Sequence, residues 1–171
     1  MKTLQTIQTI CLALIALAII KVTVRAESAP PAEQLFKAHE IQLSLYGTGT
    51  IATDAREKEA VSIGTGIGAD YFITRGLGFG ARAETSDASS SFIDRSSGRV
   101  IARAPLWDRV APYGYVEGGY DFEEDRVFAG SGGGVEFRFT KGVGVFGELG
   151  LETTTRGGAT GRAAAGLRLA F

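Results

Sequence analysis

One cysteine, one histidine and four prolines are all that the 171 residues hold of those types. The cysteine, Cys11, stands inside an apolar run near the N-terminus. No disulfide framework and no thiol chemistry are therefore available to the region that folds. Cys11 also lacks the small neighbours that a lipoprotein cleavage site needs. The histidine, His39, has no Ser–His–acid set around it that would build an activated nucleophile. With one histidine left, metal ligation would fall to carboxylates, and the cluster Asp121, Glu123, Glu124 and Asp125 reads as a solvated hairpin tip. The net charge of −1 offers no basic face to nucleic acid. The longest apolar run, residues 10–20, is short of the ~20 residues that cross a bilayer as a helix. No later stretch keeps a helical period over three turns. Glycine alone is abundant, at 24 residues. The glycine run 130–134 has no following Lys-Ser/Thr, so it is not a phosphate loop.

The N-terminus divides from the rest. Lys2, the apolar run and Val24-Arg25-Ala26 have the layout of a secretory signal, with cleavage expected after Ala26. The domain reading is a signal peptide over 1–26, a flexible lead-in over 27–38 and a β-barrel over 39–171. Removing 1–26 takes away Lys2, Lys21 and Arg25 and lowers the net charge to −4 from −1.

Beyond the lead-in, period-two alternation recurs. Eight strands are predicted near 40–50, 60–71, 76–85, 99–107, 112–122, 127–139, 143–151 and 160–171. In the second, Val61, Ile63, Ile67, Ala69 and Tyr71 oppose Ser62, Gly64, Gly66, Gly68 and Asp70. In the last, Ala163, Ala165, Leu167, Leu169 and Phe171 oppose Arg162, Ala164, Gly166 and Arg168. Pro105 fits a strand end better than a strand middle.

The predicted connections alternate in length. Tight turns, each with one cation, follow strands two, four and six at 73–75, 108–111 and 140–142. Longer polar loops are expected after strands one, three, five and seven. Residues 71–78 and 137–144 share a pattern, so the second hairpin recurs as strands six and seven. This repeat sets Arg82 and Glu148 at equivalent positions. The aromatics Tyr71, Trp107, Phe139 and Phe171 close alternate strands at one end, as in a girdle at a lipid–water boundary.

One face of the strands is apolar almost throughout. The other collects Arg82, Glu84, Arg103, Glu117, Glu136, Arg138, Glu148, Arg162 and Arg168 among glycines. Were the apolar face a dry core, glycine with sparse charge would be left as a poor soluble surface. The apolar face is therefore expected to meet lipid and the charged face to fill the lumen. An eight-stranded lumen is only wide enough for side chains. Arg82, Glu117 and Glu148 are expected at similar heights, with Arg103, Arg138 or Arg168 as counterions and glycines making room for the long side chains.

Together the signal, the eight strands, the loop pattern and terminal Phe171 resemble the small outer-membrane β-barrel proteins of the OmpA/OmpX and opacity type. The resemblance implies an all-β fold, an eight-stranded antiparallel up-and-down transmembrane β-barrel, in the bacterial outer membrane after Sec-type export. It also implies that Phe171 belongs to the signal read by the barrel-insertion machinery. Its other partners would be outer-membrane lipid and lipopolysaccharide, with no nucleic acid and no cofactor, and the protein a monomer. The expected role is structural, in envelope integrity or surface interaction, with the lumen plugged by the Arg/Glu network. The alternatives are a narrow pore, a lipid-modifying enzyme or a soluble periplasmic ligand-binding barrel.

Overall fold

The computed structural model describes residues 35–52, 61–86, 92–106, 108–155 and 158–171. The signal peptide, most of the lead-in and Trp107 lie outside the described residues. Eight strands follow one another: β1 (Glu40–Ala52), β2 (Val61–Phe72), β3 (Leu77–Ser86), β4 (Arg95–Arg103), β5 (Val110–Asp121), β6 (Arg126–Arg138), β7 (Val143–Thr154) and β8 (Ala159–Ala170). Each pairs antiparallel with its neighbour, and β1 pairs with β8 to close the barrel. Closure leaves no free sheet edge. The backbone of Phe171 completes the seam, donating to the Ile41 carbonyl at 2.9 Å and accepting from its N–H at 3.3 Å.

The alternation decides the faces. Ile41, Leu43, Leu45, Ile63, Ile67, Leu149, Leu151, Leu167 and Leu169 all stand on the outside, between 45% and 70% exposed. Gln42, Ser44 and Arg168, which alternate with them, turn inward and are buried. The barrel is therefore inverted relative to a soluble protein, with its charges inside and its hydrocarbon outside.

Strand limits differ from the sequence expectation mainly at β4. The strand begins at Arg95 and ends at Arg103, so Pro105 lies beyond it. The connection to β5 is then six residues rather than a tight turn. At the opposite end, β7 runs on to Thr154 and β8 starts at Ala159. The β7–β8 connection thereby shrinks to four residues, the same length as the β5–β6 connection and no longer than the turns after β2 and β6. Extra ladder hydrogen bonds, such as Thr155 N to Val127 O at 3.1 Å, draw these loop residues into the wall. The remaining two loop-end connections span eight residues each.

The repeat in the sequence has a local cause. In the β2–β3 turn the Thr74 hydroxyl accepts from Gly76 N at 3.1 Å and Leu77 N at 2.9 Å. In the β6–β7 turn the Thr140 hydroxyl accepts from Gly142 N at 3.3 Å and Val143 N at 3.1 Å. A threonine that satisfies two turn amides is what the shared Thr-Arg/Lys-Gly pattern encodes.

Candidate functional site

Paired charges cross the lumen in three tiers. At the turn end, Glu40 lies between two arginines. Arg103 donates to it at 2.9 Å and Arg138 at 2.7 and 2.5 Å. Glu136 accepts from Arg138 and from Arg168, both at 2.7 Å, and Gln42 donates to Glu40 at 2.8 Å. All of these side chains are buried.

In the middle tier Arg82 and Glu148 form a two-pronged pair, with one prong at 2.7 Å. Glu148 also accepts from the Tyr113 hydroxyl at 2.9 Å, and Arg99 and Arg162 stand 3.5 and 3.4 Å from it. Arg99 itself clamps Asp70, with its Nε donating at 2.8 Å. Toward the loop end, Arg162 bonds Glu84 and lies 3.5 Å from Glu117 and 3.7 Å from Glu152. Arg95 bonds Glu152, and the Tyr46 hydroxyl donates to Glu84 at 2.8 Å. A buried charge is tolerable only when paired and hydrogen-bonded, and here each carboxylate has at least one guanidinium neighbour.

Of the nine charged positions named from the sequence, Arg82, Arg103, Glu117, Glu136, Arg138, Glu148, Arg162 and Arg168 are buried and Glu84 is half-buried. Arg82 and Glu148, equivalent in the sequence repeat, are bonded directly to each other. The expected counterions are corrected. Arg103, Arg138 and Arg168 serve Glu40 and Glu136 at the turn end, whereas Glu117 and Glu148 face Arg82, Arg99 and Arg162. The cause is height: the first three arginines project near the turn ends of β4, β6 and β8, below the tier that holds Glu117 and Glu148.

Sequence reasoning left out Glu40, Asp70, Arg95, Arg99 and Glu152. Alternation had already set Asp70 on the polar face of the second strand, though not among the lumen charges, and Arg99 shares the parity of Arg103, so the same rule could have found it. Glu152 and Arg95 fell in stretches assigned to loops.

Aromatic rings fill more of the lumen than the pattern of charges suggests. Tyr46, Tyr113, Tyr115, Phe72, Phe128 and Phe146 are buried inside, and guanidiniums stack on them. Arg103 lies 3.6 Å from the Phe72 ring centre, Arg95 3.5 Å from Phe128 and Arg168 4.2 Å from Phe146. Such desolvated cation–π contacts are among the stronger ones. Some glycines admit rings rather than charged chains. A Cβ on Gly132 would sit 2.6 Å from the Tyr115 hydroxyl and 2.3 Å from the Leu149 carbonyl. Others do serve charged chains, as where Gly130 underlies Glu152.

Above the plug, the loop end opens into a vestibule of about 620 Å³, bordered by Thr48, Thr50, Thr85, Glu84, Arg95, Phe128 and Glu152. Among the described residues no group of histidines and carboxylates is arranged to hold a metal ion. Asp121 and Glu124 are engaged by Arg126, and Asp125 by the Tyr120 hydroxyl. His39 lies at the turn end, its Nδ1 2.9 Å from the Tyr71 hydroxyl. Tyr71, Phe79, Phe137, Phe139 and Phe171 stand around the outer surface of that same end, with Tyr71–Phe79 and Phe137–Phe139 in edge contact at 5.6 and 5.3 Å. Tyr71 is the penultimate residue of β2; Phe72 closes the strand and points inward.

No protein-family model and no curated protein matches the sequence. Solved structures do match. The N-terminal β-barrel domain of OprF from Pseudomonas aeruginosa superposes with a TM-score of 0.56 at 14% identity, covering 79% of this chain and 99% of that one. The outer-membrane protein OprG of the same organism gives 0.53 at 10% identity, with 81% and 99% covered. A de novo designed transmembrane β-barrel gives 0.57 at 16% identity, with 79% and 98% covered. A designed chain carries no inherited activity, so what the three share is architecture. By that architecture the chain has the fold of the small eight-stranded transmembrane β-barrels.

Proposed function

We propose that this protein is a monomeric barrel of the bacterial outer membrane, exported through its N-terminal signal. In this reading it serves as a structural or surface-interaction element of the envelope. The observation that carries it is the inversion of polarity. A continuous apolar wall asks for hydrocarbon around it, and a lumen packed with paired Arg and Glu leaves little room for solute flow. In the membrane the turn end would face the periplasm and the vestibule the exterior. The apolar band would contact lipid, the loops lipopolysaccharide, and β8 with Phe171 the insertion machinery.

A soluble ligand-binding barrel would need an apolar interior, whereas in this lumen buried arginines and carboxylates stand between the rings. An acyl-transferring enzyme of the serine–histidine kind would need an activated nucleophile, and His39 has Tyr71 rather than a serine beside it.

Fractionation of the native host tests the location, and deletion of the gene tests the role. The protein is expected in the outer-membrane fraction, and its loss is expected to sensitise cells to detergents and large antibiotics. A soluble periplasmic pool would overturn the location. Steady, ion-selective conductance of the purified protein in planar bilayers would replace the plugged barrel by a pore.

A further inference from the structure

The segment that precedes β1 lies across the turn-end mouth of the barrel. Its backbone is held at three successive residues. Arg138 donates to the Leu35 carbonyl, Arg75 to Phe36 O at 3.2 Å and Arg103 to Lys37 O at 3.0 Å. Arg75 belongs to the β2–β3 turn and Arg138 ends β6. In a closed ring of eight these lie nearly opposite one another, so a chain that touches both crosses the opening.

The Phe36 ring fills the centre of that opening. It is 1% exposed, with the Arg138 guanidinium 4.3 Å and the Arg103 guanidinium 5.1 Å from the ring centre. The ring of a fully buried phenylalanine among charged side chains contributes no hydrogen bond there. What it does is exclude water from Glu40, Arg103 and Arg138, whose attraction strengthens as the local dielectric falls.

The chain then turns sharply into the wall. His39 has φ of 56°, a conformation few non-glycine residues adopt. It is held by a hydrogen bond from its N–H to Phe72 O at 2.7 Å and by its ring contact with Tyr71. Residues 35–38, grouped with the lead-in by the sequence, are thus seated in the barrel end.

We propose that residues 35–39 form a stopper that seals the turn-end mouth, with Phe36 as the plug and His39 as the hinge from which it swings. In place, it separates the lower tier of the lumen from solvent. Withdrawn, it leaves an aromatic-sized pocket floored by Arg103, Arg138 and Phe72, with three guanidiniums that have lost carbonyl acceptors. The seat recognises backbone carbonyls and one ring, so it is a pocket for a short bent peptide with an aromatic side chain, occupied by the chain's own. The proposal concerns one end of the lumen and does not depend on the cellular role proposed above.

Thiol accessibility tests it. Gln42 lies in the lower tier and is 0% exposed. Gln42→Cys in a Cys11→Ser background places a single thiol behind the stopper. The full chain is refolded into detergent, and folding is checked by unboiled gel mobility. A small neutral thiol reagent is expected to react slowly with this parent. With Phe36→Ala added, reaction is expected to be about tenfold faster or more, the scale of losing a desolvated cation–π contact. Deletion of residues 35–38 should accelerate it further. Arg75→Gln lies in a turn outside the strands, removes one carbonyl clamp and should give a smaller acceleration even if the other variants fold poorly. A synthetic peptide of residues 33–39 added to the deletion protein should slow labelling again. Equal rates in parent and variants, whether fast or slow, would overturn the stopper, and failure of the peptide to protect would overturn the peptide pocket.

Discussion

At Glu148 one carboxylate meets the guanidinium of Arg82, the hydroxyl of Tyr113 and, at longer range, Arg99 and Arg162. Removing it strands Arg82 and takes one of several carboxylates from Arg99 and Arg162. Glu148→Met is expected to lower stability by about 3–5 kcal/mol, the usual cost of breaking a buried pair from one side. Arg82→Met added to it should recover part of the loss, with a coupling of about 1 kcal/mol or more. Recovery stays partial because Arg99 and Arg162 keep their share of the deficit. Urea unfolding in lipid vesicles, followed by gel mobility, reads all three variants.

Glycines offer a sharper contrast at the same scale. Gly132→Ala puts a methyl group against the Leu149 carbonyl, which cannot move without breaking the wall, and should cost about 1–3 kcal/mol. Gly147 faces outward, and a Cβ added there would meet nothing within 4 Å. Gly147→Ala should be neutral or stabilising by about 0.4–1 kcal/mol, since alanine loses less freedom on folding. The sequence shows which glycines face inward but not which of them underlie a ring. The ring arrives from a neighbouring strand, as Tyr115 of β5 does over Gly132 of β6.

Among the elements, the two threonine turns are visible in the sequence as a repeat, whereas their chemistry is not. Thr74→Val and Thr140→Val each remove an acceptor from two turn amides. Each is expected to cost about 1 kcal/mol in the same unfolding measurement, with the barrel intact. On the wall, Leu149 is 70% exposed and lies midway along β7. Leu149→Arg should cost about 2–4 kcal/mol in lipid vesicles, the range for a cation at the bilayer midplane.

Faces were more legible than ends. Period-two alternation assigns each residue a side, and a shift by one residue would have reversed every assignment. Strand ends depend on ladder bonds that continue into polar residues, so β7 runs three residues further than its apolar pattern. At β4 the apolar pair Val100 and Ile101 and the aromatic near Pro105 drew the predicted strand too late. The structure starts it at Arg95, where Ser and Gly give no alternation to follow.

For the molecule as a whole, the closed inverted barrel was written in the sequence because one rule, apolar out and charged in, repeats on eight strands. The network was legible as a set of inward charges and illegible as a set of partners. Partners meet across the lumen, between residues as distant as Gln42 and Glu136, and their heights follow from tilt and stagger rather than from spacing. The seating of Phe36 gave no signal at all, since a lone phenylalanine in a polar lead-in has no period to join.

The outward direction of the apolar face is tested most directly by refolding the purified chain with and without detergent or lipid and running each sample unboiled and boiled. Folding that requires detergent or lipid, with a mobility shift on boiling, is the expected result. A chain that folds to a soluble monomer in plain buffer and shows no shift would contradict the inverted barrel.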